Sequence, residues 1–417
     1  MMPTVLDRRK PTPAAARTHA RLATATLATL AAVTLAAPLA AQGGVKAAAP
    51  TRPTKSYWVY VGAESADLVQ RVRFGPAGAA VERTIRVGES ATEMEGPHGL
   101  QISRDGRYLH MTTGHGSPDG KYWKYELGPD TLVGPGIHLG YFPASIDVTP
   151  DGLYAFAVNF NLHGEMRPSS VSVIYTPTNT EVAQTTTCTM PHGSRLDPAG
   201  LRQYSTCMMD DQLVELDAST FQVARRFSVA KGKEGPIAVA AAADAHAGHA
   251  MGAMGDVAGA APRPHAMAPA TCSPTWAQPS ADGRKIYVAC NRADEILEVD
   301  RDAWTVSRRF ATGRGPYNLA VTPDGRLLVA SLKQGGMVEV FDIASGRSVL
   351  RTKSSTTVTH GVAISPDSRY AFVSSEGVGA APGKVDVYDL RALARVASVD
   401  VGQQAGGIAF WKMETVR

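Results

Sequence analysis

The stretch YNLAVTPDGRLLVASL, residues 317–332, decides the fold. It contains a short apolar strand, the turn sequence Pro-Asp-Gly and a second strand of mostly apolar residues. Asp and Gly suit a tight turn, because the Asp side chain caps backbone amides and glycine tolerates positive φ. The stretch therefore predicts a β-hairpin.

The same hairpin pattern recurs five more times. The other copies are PHGLQISRDGRYLHMTT (97–113), PASIDVTPDGLYAFAVN (143–159), PHGSRLDPAGLRQYSTC (191–207), TWAQPSADGRKIYVAC (275–290) and HGVAISPDSRYAFVSS (360–375). Two further strand-like segments follow each hairpin, as GMVEVFDIA and GRSVLRTKS follow the copy at 317–332. Four strands in a period of about 45 residues predict an all-β fold, the β-propeller.

The two ends of the repeat region predict how the ring closes. YWVYVGAE (57–64) has the pattern of a second strand with no inner strand before it, whereas GGIAFW (406–411) has the pattern of an inner strand. Pairing of the segment near Ile408 with the strand near Val59 leaves no free edge in the ring. We therefore expect seven blades, the first of them closed by the C-terminal inner strand.

The N-terminal region has the features of an export signal. A basic start precedes an apolar run from Leu22 to Ala41, which ends in small residues. We interpret 1–41 as a signal peptide and 42–56 as a disordered lead-in; a retained membrane anchor is the weaker alternative. The propeller then covers 57–417, and the protein is expected to be periplasmic or secreted, with no membrane span after cleavage.

The net charge argues against polyanionic partners. The whole chain has 42 basic and 38 acidic residues, and removing 1–41 takes away five bases and one acid, which leaves a net charge of zero. The positive balance belongs to the targeting segment, so the sequence gives no support for nucleic-acid binding. We expect a monomer whose partner is a metal ion, a small molecule or a periplasmic protein.

Several segments resemble a known family. YVGAESADLVQRVRF (60–74), VTPDGRLLVAS (321–331) and ISPDSRYAFVSSEG (364–377) are similar to the YVTN-type seven-bladed propellers of bacterial surface and periplasmic proteins. The resemblance covers the chain from about Tyr57 onward and implies the fold. Because this family includes binding proteins, lyases and oxidoreductases, the function must be argued from the site.

The four cysteines fall into two pairs. In each pair the first cysteine opens an inner strand and the second closes the neighbouring strand, so the two are expected to face each other across the ladder. We predict two disulfides within blades, Cys188–Cys207 and Cys272–Cys290. Thiolate ligation of a soft metal is the alternative. The chain contains no CxxCH motif, which excludes covalent c-type haem.

Three histidines occupy one register of the repeat. The residues seven positions before the aligned Asp position of each turn, which Ala199 occupies in the copy at 191–207, are His98, Ala144, His192, Thr275, Tyr317 and His360. We expect this position on loops at the mouth of the central channel, where ligand sites gather. For any single histidine, turn chemistry beside glycine is the simpler explanation.

Three histidines in one register instead favour a site for copper or another divalent transition metal. His115, which ends a second strand on the same face, is a fourth candidate ligand. Arg195 and Tyr317 are candidates for holding an anionic or carbonyl group of a substrate.

An insertion between the fourth and fifth blades carries more metal-binding residue types. Residues 231–270 are rich in Ala, Gly and Pro and are expected to form a mobile loop. They include His246, His249, Met251, Met254, His265 and Met267, a composition similar to that of the Met/His segments of exported copper-handling proteins. A low-complexity linker explains the same composition, so we treat these residues as an auxiliary metal site.

Three functions remain open from the sequence alone. The first is an exported copper-binding propeller, either a carrier or a copper-dependent oxidoreductase. The second is a metal-dependent lyase or hydrolase of a small substrate, and the third is a non-catalytic propeller that binds a protein or peptide. Whether the protein is an enzyme, and which residues would be catalytic, stays undecided.

Overall fold

A computed structural model describes residues 47–90, 92–116, 120–238 and 269–416. The described residues form thirty strands, grouped in seven antiparallel sheets, and one short 3-10 helix, Glu64–Ala66. Each sheet is one blade, so the seven-bladed, all-β prediction is confirmed. Within these ranges no helix is long and apolar enough to cross a membrane.

We number the blades from the ring closure and give the strands of each from the inside outward. Blade 1 contains Ala405–Thr415, Lys55–Ala63, Leu68–Gly75 and Gly78–Arg86. Blade 2 contains Pro97–Ile102, Tyr108–Thr113, Lys121–Glu126 and a divided outer edge, Thr131–Leu132 and Ile137–His138. Blade 3 contains Pro143–Val148, Tyr154–Asn159, Pro168–Tyr175 and Thr180–Thr189.

The remaining blades follow the same order. Blade 4 contains Pro191–Leu196, Arg202–Cys207, Gln212–Asp217, Val223–Ser228 and a fifth strand, Gly235–Ile237. Blade 5 contains Pro274–Pro279, Lys285–Cys290, Glu295–Asp300 and Thr305–Ala311. Blade 6 contains Pro316–Val321, Leu327–Leu332, Met337–Asp342 and Arg347–Lys353. Blade 7 contains Thr359–Ile364, Tyr370–Ser375, Gly383–Asp389 and Ala394–Val401.

The repeated turn has the chemistry that its sequence predicts. In blade 6 the Thr322 hydroxyl donates to Asp324 at 2.6 Å, and the same carboxylate accepts the Arg326 amide at 3.1 Å. Gly325 has a φ of 70°, which glycine adopts without a steric penalty. These contacts fix the tight link between the inner and second strands of blade 6.

The ring closes through the C-terminal strand. Val59 pairs with Phe410 and Val61 with Ile408, so the predicted closure is confirmed. The apolar core lies between neighbouring blades: Tyr57 packs edge-on against Tyr370 of blade 7, with ring centroids 4.9 Å apart. Every blade therefore needs both neighbours to bury its faces.

Both cysteine pairs form disulfides, Cys188–Cys207 and Cys272–Cys290, as predicted. The prediction that both lie within blades is wrong for the first pair, because Cys188 belongs to the outer strand of blade 3. This strand runs on to Thr189 and delivers the chain directly to the inner strand of blade 4, so the bond joins two blades. Cys272 lies just before the inner strand of blade 5, beside Cys290 of the same blade.

Replacing Cys272 and Cys290 together by Ala is expected to lower the free energy of unfolding by about 3 kcal/mol. The bond closes a loop with a sequence separation of 18 residues, and its loss frees the unfolded chain. Urea unfolding of the double variant and the parent measures the difference. Equal midpoints, or four free thiols by mass spectrometry of the exported parent, would contradict this prediction.

Candidate functional site

The histidine register forms a ring of residues at the inner end of the seven blades. In every blade it is the second residue of the inner strand, and the ring consists, in blade order, of Gly406, His98, Ala144, His192, Thr275, Tyr317 and His360. The expectation that this position lies on exposed loops is wrong, because each strand begins one residue earlier. His98, His192 and His360 are accordingly 7%, 2% and 5% exposed. We call these seven residues the inner tier.

Two repeated features hold the inner tier in place. The residue that precedes each inner strand has a left-handed backbone, with φ between 46 and 68°: Gln404, Gly96, Phe142, Met190, Ser273, Gly315 and Val358. Hydroxyl groups of one blade also donate to inner-tier carbonyls of the next, as Ser145 does to His192 and Ser331 to His360, both at 2.6 Å. The backbone that carries the imidazoles is therefore fixed from two sides.

The three imidazoles converge from separate blades. The ring centroids of His98 and His360 lie 5.4 Å apart and those of His98 and His192 lie 6.4 Å apart. His98 Nδ1 lies 2.7 Å from the Ala144 carbonyl, and His192 Nδ1 lies 2.9 Å from the Thr275 carbonyl. A carbonyl accepts but cannot donate, so Nδ1 carries a proton in both rings. In a neutral ring of this kind Nε2 keeps its lone pair.

Burial keeps two of these imidazoles neutral. Desolvation, with a smaller contribution from His98, lowers the pKa of His192 to about 3. Desolvation and the nearby Lys333 ammonium hold the pKa of His360 well below its usual value. The Gly406 carbonyl faces the His360 ring and opposes this shift, although His360 Nδ1 makes no hydrogen bond of normal geometry. Neutral imidazole is the form that binds metals.

A second ring of side chains lies above the inner tier. It is formed by the residue that directly follows the second strand of each blade: Glu64, Gly114, Phe160, Met208, Asn291, Lys333 and Glu376. Six of these seven, all except Gly114, line a cavity of about 490 Å³ together with His98, His192, His360 and Tyr317. We call this ring the outer tier.

Each of the two carboxylates of the outer tier has one close partner. Glu64 Oε1 lies 2.6 Å from His115 Nε2, and Glu376 Oε1 lies 2.8 Å from Lys333 Nζ. Burial opposes ionisation of Glu64, but His98 and the hydrogen bond from His115 outweigh it and keep the pKa of this carboxyl below its usual value. Burial likewise acts against the Lys333 ammonium, and Tyr317 and Glu376 nevertheless raise its pKa.

Histidines aside, two carboxylates and one ammonium give the tiers a formal charge of −1. This charge favours a bound cation over an anion.

The two proposed substrate-binding residues occupy different places. The Tyr317 hydroxyl lies in the inner tier, 2.9 Å from His192 Nε2. Arg195 instead lines a narrow cavity deeper in the channel, below the histidines. There its guanidinium stacks on Trp276 at 4.5 Å and donates to the Ser194 carbonyl. Only Tyr317 reaches the mouth.

His115 lines the same cavity as the other three histidines but lies outside their register. It binds Glu64, and its ring centroid lies 5.6 Å from that of His163, a residue that the sequence did not single out. Met208 of the outer tier lines the cavity, and Met190 packs beside it against an apolar cluster of Phe142, Ala144 and Phe160.

The three central imidazoles do not form a complete metal site, although the separation of one pair is suitable for binding an ion. Among residues 47–90, 92–116, 120–238 and 269–416, no three His, Cys, Asp or Glu side chains form a ready metal site. Two imidazoles bound to one ion at about 2 Å place their centroids roughly 5 to 6 Å apart, which suits the His98–His360 pair. The Tyr317 hydroxyl, hydrogen-bonded to His192 Nε2, has to move before that nitrogen can bind an ion.

The auxiliary residues His246, His249, Met251, Met254, His265 and Met267 lie outside the described residues.

Comparison with known proteins supports the fold. Three similar solved structures are the periplasmic gluconolactonase PpgL of Pseudomonas aeruginosa, a functionally unknown protein of Desulfotomaculum acetoxidans and hydrazine synthase of Kuenenia stuttgartiensis. Their TM-scores are 0.62, 0.60 and 0.55 at 18%, 14% and 16% identity. The matches cover 86%, 85% and 77% of this chain, and 99%, 98% and 91% of those chains. No family model and no curated protein matches the sequence.

Proposed function

We propose that this protein is an exported YVTN-type propeller that binds copper at the channel mouth through His98, His192 and His360. It would act as a copper carrier or as a copper-dependent oxidoreductase. The observation that supports this most is the arrangement of the three imidazoles. They occupy one register of the repeat, and two of them have Nδ1 bound to a backbone carbonyl. Such a hydrogen bond on the other ring nitrogen is typical of histidines that bind metals.

The surroundings suit a transition-metal cation. The formal charge of −1 contributed by Glu64, Glu376 and Lys333 compensates part of the charge of a bound ion. Among divalent first-row metals, nitrogen ligands bind copper most strongly. The thioether of Met208 in the same cavity adds a soft ligand of the kind that copper(I) prefers. Three imidazoles also leave a coordination position open for transfer or for a substrate.

Replacing His192 with Asn is expected to abolish stoichiometric copper binding at the inner tier. The Asn amide keeps a donor for the Thr275 carbonyl but offers only a carbonyl oxygen, which suits hard cations rather than copper, in place of the imidazole Nε2. Equilibrium dialysis and metal analysis of the purified protein measure the change, with circular dichroism as the test of folding. The matched control is His138→Asn, which removes an exposed histidine from the outer edge of blade 2.

The central assignment fails if the combined replacement of His98, His192 and His360 binds copper as tightly as the parent. Deleting 244–267 is expected only to slow or weaken loading, because these residues are proposed as an auxiliary site. A parent that carries zinc and no copper would favour the second candidate, the metal-dependent lyase or hydrolase.

That second candidate draws its support from the groups beside the histidines. The Tyr317 hydroxyl and the Lys333–Glu376 pair line the same cavity as the three imidazoles, and Lys333 Nζ lies 4.4 Å from the Tyr317 ring centroid. An acid, a base and a cation next to an open metal position are the components of metal-assisted cleavage of a small substrate. Turnover that depends on Tyr317 and requires added zinc would support this function.

A further inference from the structure

We infer a second metal position at the channel mouth, formed by His115 and His163, with the Glu64 carboxylate bridging it to the three-histidine position. The inference rests on the proposed function for its inner ion. It makes the mouth a two-metal centre in which one ion is buried and the other is accessible from solvent.

The two outer histidines lie within reach of a shared ion, which would have to displace the 2.6 Å hydrogen bond between His115 Nε2 and Glu64 Oε1. Their ring centroids lie 5.6 Å apart and their planes are tilted by 35°. This separation falls in the range of roughly 5 to 6 Å that two imidazoles on one ion require. His163 is exposed, on the loop that follows the second strand of blade 3. The Asn161 side chain donates to the Glu165 carbonyl at 2.9 Å and so braces that loop.

Glu64 connects the two positions because each of its oxygens faces a different imidazole. Oε1 lies 2.6 Å from His115 Nε2, and Oε2 lies 3.9 Å from His98 Nε2. The carboxylate is almost completely buried, at 4% exposure, so it is held in this orientation. Carboxylates that present one oxygen to each of two ions are suited to two-metal sites.

A missing side chain makes room for this bridge. The inner-tier residue of blade 1 is Gly406, and a Cβ at this point would lie 3.7 Å from Glu64 Oε2 and 3.8 Å from His360 Cε1. A longer side chain would fill the space between Glu64 and the inner histidines. Glycine here leaves the space open for an ion.

Phe142 packs its apolar ring against histidines of both positions. Its centroid lies 5.1 Å from that of His98, 5.0 Å from that of His115 and 5.7 Å from that of His163. The ring covers one side of both positions and limits water there. The exposed His163 gives the outer ion access to solvent, so we expect the outer position to load and exchange first.

The ligands available to each ion agree with an exchangeable outer position and a buried inner position. The outer ion would have two imidazoles and one carboxylate oxygen, a combination that leaves positions open for exchange. The inner ion would have three imidazoles and the second oxygen of the same carboxylate. Both sets suit copper(II), which is therefore the probe for the experiment.

The experiment counts copper(II) ions per chain in full-length protein in which His246, His249 and His265 are replaced by Ala. This background removes the imidazoles of the insertion from the count. We expect two ions in the background protein, with electron paramagnetic resonance showing coupling between them. Adding His163→Ala should leave one uncoupled ion, whereas His138→Ala should change nothing. Adding Glu64→Gln should remove the coupling and weaken both positions about 10- to 100-fold.

The outcomes separate this inference from the proposed function. One ion that is lost with His192→Asn and unaffected by His163→Ala would overturn the second position and leave the proposed function intact. One ion lost with His163→Ala but retained with His192→Asn would overturn both the two-metal centre and the inner copper site. Two ions without coupling would overturn the Glu64 bridge.

Discussion

Deleting residues 403–417 is expected to abolish cooperative folding. The deletion removes the inner strand of blade 1, which pairs with the strand Lys55–Ala63. This pairing runs from Lys55 opposite Thr415 to Ala63 opposite Ala405. It also removes Ile408 and Ala405 from the core shared by blades 7 and 1 and leaves unpaired strand edges. Circular dichroism, urea unfolding and sizing chromatography should show an aggregated or molten chain.

A permuted chain provides the control for this deletion. Residues 403–416 are moved ahead of residue 54. The linker is a copy of the five-residue turn of blade 6, Thr322–Arg326. Blade 1 then has the same strand order as the other blades. This variant should fold cooperatively, because Lys55 and Thr415 are already paired neighbours. A deletion variant that stays monomeric and cooperative would show that closure is dispensable.

Mild acid is expected to destabilise the protein steeply, through buried neutral histidines. Desolvation, with a smaller contribution from Lys124, lowers the pKa of His110 to about 3, and His192 has a similarly low pKa. The unfolded chain takes up protons below its own pKa of about 6.5, whereas the native chain does not. Stability is thus unaffected above pH 6.5, falls between pH 6.5 and 3, and levels off below pH 3.

The expected loss is about 1.4 kcal/mol per pH unit for each of these residues, or about 4 kcal/mol for the two together at pH 5. Urea unfolding of metal-free protein from pH 7 to pH 4.5 measures it. His360, whose pKa is also held well below its usual value, adds to this slope. His110→Asn should therefore remove about a third of it and keep a donor or acceptor for the Tyr122 hydroxyl, which lies 2.8 Å from His110 Nδ1. Parallel slopes for this variant and the parent would contradict the prediction.

The sequence predicts the fold well because each blade repeats the same local chemistry. The Asp-Gly turn and the two following strands recur with a nearly constant period, and closure follows from one unpaired segment at each end. The disulfide between blades was harder to predict, since TEVAQTTTCT (180–189) gives no sign that the outer strand of blade 3 continues past Cys188. Only Met190 lies between this strand and the inner strand of blade 4, and methionine is not a residue typical of turns, so the sequence does not mark the boundary.

The candidate site was predicted only in part. The histidine register is visible because three of its members are identical, and it does bring His98, His192 and His360 together. The outer tier was missed, since its seven members differ in type and only their position after the second strand is shared. Glu64 and Lys333 belong to that tier, and aligning the residue after each second strand would have shown them. His163 has no such register, and its place beside His115 follows only from tertiary structure.

The closure of blade 1 also sets the order in which the mouth is completed during synthesis. Glu64 is made early, whereas Gln404, whose carbonyl accepts the Glu64 amide, and Gly406 are made last. A nascent chain therefore has the histidines but not the complete mouth. Under the proposed function, metal capture would have to wait for the final strand, and the ion would be bound in the compartment where the chain completes its folding.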